Sequence, residues 1–177
     1  MIGARRSPFF LLSGALALSL SGCFSMPQTA EEFRLAVPGA FSAKHWSYEV
    51  DRNWSEAAKS LARRASECLN VSVEVSSTGY GSSTRWVDHY KPTVVIGEGR
   101  AELHLQQHKK QAMLIKPHKE PEGGYYLLVV DIDKLSRNRV QVDMYAPRMG
   151  YDHVVEAVDG WIRGTSELCP DMAEHDL

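Results

Sequence analysis

"YYLLVVDI", residues 125–132, decides how this chain is layered. Successive side chains of a strand leave opposite faces. Tyr125, Leu127 and Val129 therefore point one way and Tyr126, Leu128 and Val130 the other, and both sets are apolar. A strand that wants burial on both sides belongs in the middle of a sheet. Two readings follow: a sheet that curls over itself, or an apolar groove that receives a lipid or a partner protein.

Outward from this strand the sequence alternates on both sides. "PTVVIG", "AELHLQQ" and "QAMLIK" precede it and "RVQVDMY" follows, joined by short connections such as Gly97-Glu98-Gly99 and Lys109-Lys110 that suit antiparallel hairpins. Nearer the amino end, "HWSYEV" (His45 to Val50) and "VSVEV" (Val71 to Val75) are strand-like, and "SSTGYGSSTRWVDHY" between them and the later strands predicts a mobile loop. From Asn53 onward Trp54, Ala57, Ala58, Leu61, Ala62, Ala65, Cys68 and Leu69 recur at helical spacing, and Asn53 with Glu56 resembles a capping box. Val154, Val155, Val158, Trp161 and Ile162 give a second helix. The expected fold is α+β: an antiparallel sheet of about six or seven strands with two helices on one face.

The amino end has a different composition. Arg5 and Arg6 precede an apolar run from Phe9 to Leu20, too short to cross a bilayer comfortably, which is the pattern of a secretory leader. It ends Leu20-Ser21-Gly22-Cys23, and this resembles the lipobox of bacterial lipoproteins. The resemblance implies cleavage before Cys23 and acylation of that cysteine. Several acyl chains would give a stable anchor, since each buried methylene contributes about 0.8 kcal/mol. Phe24 stands where an inner-membrane retention aspartate would be, which points to the outer membrane. The alternatives are ordinary secretory cleavage or an uncleaved short anchor. Without the leader, 18 basic residues face 22 acidic ones, and no footprint for nucleic acid results.

The expected organisation is a signal peptide over 1–22, an anchor and tether over 23–44 with a single helical turn around Glu31 to Ala36, one domain over 45–170, and a flexible tail over 171–177. The order of elements behind a lipobox is similar to the helix-grip domains of the small lipoprotein in the outer-membrane barrel-assembly machinery. With its "CLNV" helix exit and late "CP", the chain also looks like many small Gram-negative lipoproteins.

Cys68 and Cys169 remain once Cys23 is assigned to lipid. In an oxidising compartment they are expected to form a disulfide, and closing a loop of about 100 residues contributes about 4.7 kcal/mol in the chain-entropy model. The alternatives are two buried thiols or a reactive cysteine.

Other constellations give weaker chemistry. His104 and His108 lie in an alternating strand, which separates them by roughly 13 Å, too far for one metal ion. Asp131, Asp133 and Asp143 lack the glycine spacing of a calcium loop. "GYGSS" with Asp88 and His89 holds the letters of a serine hydrolase, but its glycines are misplaced for a nucleophile elbow. "GEGRAE" lacks the third glycine and the helix of a dinucleotide loop. We therefore expect no cofactor, no metal and no catalysis. The expectation is a lipid-anchored envelope protein that binds a protein partner, with Tyr80, Trp86 and Tyr90 as candidate anchors. A carrier of an apolar ligand is the alternative, and a cell-envelope hydrolase the third.

Overall fold

A broad apolar stripe needs a surface to cover, and two helices share one here. In the computed structural model, which describes residues 26–40, 43–79, 82–110, 120–147 and 150–173, helices α2 (Trp54–Cys68) and α3 (Asp152–Arg163) lie side by side on one face of a six-stranded antiparallel sheet. Asn53 caps α2 by accepting from the Ser55 N–H at 2.9 Å. At Gly164 the backbone turns left-handed (φ 74°) and α3 ends; the Arg52 guanidinium meets the exposed carbonyls of Trp161 and Ile162 at 2.6 and 2.7 Å. A Cβ at 164 would stand 2.9 Å from that guanidinium and displace it from the carbonyls, and the left-handed backbone itself favours glycine there.

The strands are β1 (Ala43–Val50), β2 (Ser72–Gly79), β3 (Ser82–Ile96), β4 (Arg100–Lys110), β5 (Tyr125–Ser136) and β6 (Arg139–Pro147), in the order β1-β6-β5-β4-β3-β2. Under the two helices, Leu103, Leu105, Leu128, Val130, Ile132, Val142 and Met144 pack with Ala57, Leu61, Ala65, Val158, Trp161 and Ile162 in one closed core. Cys68 and Cys169 form a disulfide with Cα atoms 5.2 Å apart, which ties the segment after α3 to the end of α2.

Three expectations are corrected. "SSTGYGSSTRWVDHY" is not a loop: its described residues belong to β2 and β3, which run together as a long hairpin with Ser72 opposite His89 and Gly79 opposite Ser82. The serines and glycines that suggested a break are tolerated because cross-strand pairing supplies the backbone bonds. The domain also reaches beyond 45–170, since Met172 is buried in the main core and the segment after Thr29 is packed rather than extended. Finally, the helical turn expected around Glu31 to Ala36 is helix α1 (Ala30–Ala36), followed by a 3-10 turn over Val37–Gly39, and it is not tether but lies on the opposite face of the sheet. The strand expected at "QAMLIK" falls outside the described residues, as do Cys23 and the whole leader.

The central strand β5 is layered as its composition demands, with one departure. The β4–β5 register shifts between Leu105 and Gln106, so Leu127 and Leu128 both join the main core while Val129 faces the other side. Gly124 lies just before this bulge, and its Cα comes so near the Gln107 carbonyl that an added Cβ would sit 2.4 Å from the oxygen. The bulge breaks the strict alternation that the sequence implies.

Candidate functional site

The face of the sheet opposite α2 and α3 carries the charged chemistry. Thr29 starts α1 by accepting from the Glu32 N–H at 3.1 Å, while Glu32 reaches back to the Gln28 N–H at 2.7 Å. The helix lays Ala30, Phe33 and Val37 over Val129, flanked by Tyr126 and Tyr145. Among the described residues, the second face of "YYLLVVDI" is covered at Val129 by the chain's own amino-terminal segment, where the expected alternatives were a curled sheet or a groove.

Beside this apolar patch α1 projects Arg34. Its Nε donates to Asp131 Oδ2 at 2.8 Å and its Nη2 to Asp131 Oδ1 at 2.7 Å, a bidentate pair, and Nη2 also reaches Glu102. Asp131 and Glu102 are cross-strand neighbours on β5 and β4. Arg100, from β4, adds a second guanidinium, donating to Glu102 at 2.9 Å and lying 3.3 Å from Asp131 and 3.8 Å from Asp133. His104 Nε2 is 3.2 Å from Glu102, and the imidazole meets the Tyr126 ring edge-on.

Burial alone would raise the Glu102 pKa. Hydrogen bonds and charge from Arg34, then bonds from His104 and Arg100, outweigh it and hold the carboxyl below its ordinary value. Arg34 is likewise pulled toward its own water-free cost by burial, but the two carboxylates win and raise its pKa. The cluster is a network of guanidinium and carboxylate groups in which the buried Asp131 has two guanidinium partners. Its chemistry is that of a clasp: two strands present the anions, and the amino-terminal helix supplies the cation.

Of the residues singled out from sequence, Asp131 and Asp143 are brought side by side, while the two histidines are held to separate partners. His104 and His108 share a face of β4 but serve different carboxylates, Glu102 and Glu120, the latter at 2.6 Å. Asp143 stands directly opposite Asp131 in the β5–β6 register but pairs with His45 at 3.3 Å. Asp88 is buried on the helix side, whereas its neighbour His89 faces the other way and contacts Ser72 Oγ at 2.7 Å, so Asp88 and His89 cannot act on one hydroxyl. Among the described residues no group of His, Cys, Asp or Glu is arranged to hold a metal ion.

Of the proposed surface anchors, Tyr90 is corrected outright. It is 2% exposed, in the main core, where Gln107 donates to its hydroxyl at 3.3 Å; burial raises its pKa and the nearby Asp88 adds to the rise. Trp86 is half-buried on the same side of β3, and Tyr80 lies outside the described residues. Arg34, Glu102 and Arg100 were not singled out from sequence. The signals available were "TAEE" over 29–32, which has capping-box form, and an aspartate embedded in an apolar central strand, which demands a cation from elsewhere.

No protein-family description and no curated protein matches this chain.

Proposed function

We propose that this is a lipid-anchored protein of the bacterial cell envelope, held at the outer membrane through acylated Cys23, whose domain binds a protein partner of the envelope. The observation that carries this reading is the Cys68–Cys169 disulfide behind a leader that ends in Leu20-Ser21-Gly22-Cys23. Such a bond belongs to oxidising compartments. The convergent charges support a non-catalytic role, because Arg34, Arg100, Glu102 and Asp131 are engaged with one another in holding α1.

The docked helix also shortens the tether. Thr29 is the cap of α1, and six residues past Cys23 a fully extended chain reaches at most about 20 Å. A domain anchored this way works close to the bilayer and meets partners at its surface. The expected outcome for Cys23→Ala is loss of the protein from the membrane fraction and loss of the acyl mass from its amino-terminal peptide. Retention in membranes with no lipid detected by mass spectrometry, or a native product still carrying residues 1–22, overturns the assignment.

A further inference from the structure

Strand β3 is longer than its outer neighbour. β2 covers it only from Ser82 to His89, while β4 pairs with it without interruption from Val87 to Ile96. Beyond His89 one backbone bond continues the outer side: the Tyr90 N–H donates to the Val71 carbonyl at 2.8 Å. That bond sets the parity. Because strand backbone groups alternate in direction, the groups of Pro92, Val94 and Ile96 also point away from β4, toward an edge that no described strand occupies. Pro92 has no N–H to offer, so among the described residues the donors left facing this edge are those of Val94 and Ile96. Beside them Val95 is 53% exposed and Ile96 50%.

We propose that this edge pairs with the same edge of a second copy of this chain, antiparallel about a twofold axis at Val95. In that register Val94 lies opposite Ile96 of the second copy, and both free N–H groups of each copy find a carbonyl. Val95 faces Val95 of the second copy at a non-hydrogen-bonded position, where side chains come closest. Centring the axis on Val94 instead sets Ile96 against Pro92 and leaves carbonyls without donors. The ends are self-complementary in charge. Lys91 and Glu98 are exposed, neither has an ion-pair partner among the described residues, and antiparallel pairing sets Lys91 of each copy opposite Gly99 of the other, one position from Glu98, so opposite charges lie near each end of the ladder. Pro92 limits the ladder, which makes this a short, closed, isologous contact and not a growing fibre. The contact requires no acyl chain and so stands apart from the anchoring reading.

The experiment is cysteine trapping in the purified full-length chain in detergent under a mild thiol oxidant. A non-hydrogen-bonded antiparallel pair has Cα atoms about 4.5 Å apart, inside the range a disulfide spans. Val95→Cys is expected to give a covalent dimer at least about tenfold more abundant than Thr93→Cys, whose copies would stand roughly 13 Å apart along the ladder. The parent chain, treated alike, subtracts any contribution from Cys23. Val95→Lys, which sets like charges opposite one another, is expected to abolish concentration-dependent dimerisation in sedimentation velocity while circular dichroism stays unchanged. Equal trapping at 93 and 95, no trapping at 95, or trapping of 95 only to a different protein would each overturn the proposal.

Discussion

The two faces of the sheet are closed by opposite means. Beneath α2 and α3 the closure is apolar and crosslinked: a continuous core of Leu, Val, Ile and Trp161, with the disulfide tying its far end. Beneath α1 a small patch of Ala30, Phe33 and Val37 meets Val129, Tyr126 and Tyr145, and a network of Arg34, Arg100, Glu102 and Asp131 adds to the holding. Apolar burial is insensitive to pH and depends on area, whereas an ionised clasp depends on both partners staying charged. One face is therefore built as the permanent body of the domain. The other is a contact whose strength can be altered without dismantling that body.

The largest test breaks the first face. Trp161 is fully buried and its indole Nε1 donates to the Leu168 carbonyl at 2.9 Å, so Trp161→Ala is expected to cost about 3–5 kcal/mol in global stability, read by denaturant unfolding. A loss under about 1 kcal/mol would show that this core is not the principal source of stability. Next, replacing both Cys68 and Cys169 with Ser opens a loop with sequence separation 101. The expected loss is about 2–5 kcal/mol, again global, and an unchanged midpoint would refute a stabilising bridge.

The smallest effect belongs to the second face and sharpens the contrast. Arg34→Ala removes the cation over buried Asp131, at a cost of about 1.5–3 kcal/mol. That loss is expected as local opening: the Phe33 amide, which donates to Thr29 O at 3.0 Å, exchanges faster while core amides of β5 keep their protection. Acid should act in the same direction. Glu102 has a lowered pKa in the folded protein, so its contribution is complete above the ordinary carboxylate range and fades as pH falls through the lowered value. Amide shifts of α1 should therefore move only at pH below the ordinary Glu range. Core and α1 signals that change together in either experiment would mean that the faces are not separable.

Local patterns made much of this legible. Helical spacing from Trp54 to Leu69 and from Val154 to Ile162 places α2 and α3, and the alternation around "YYLLVVDI" places an antiparallel sheet with this strand inside it. The cysteine pair is readable too, because an even number remains once Cys23 is set aside. The β2–β3 hairpin was hidden because its serines and glycines have low strand propensity, and tertiary pairing overrides that preference. The helical turn of α1 was legible but its docking was hidden, because seven residues make a marginal helix in isolation and this one exists through its contacts.

By itself, the order of residues determined the fold class, the helices over the main core and the cysteines able to join, since each depends on periodicity or count within short windows. Only the tertiary structure decided what covers the second face of β5, because the Arg34–Asp131 pair joins residues separated by 97 positions. It decided equally that Tyr90 is core and that Val94 and Ile96 lie on an edge that no described strand covers. Contacts that distant carry no local periodic signature, and a register is a property of two strands, so neither exists until the chain has folded.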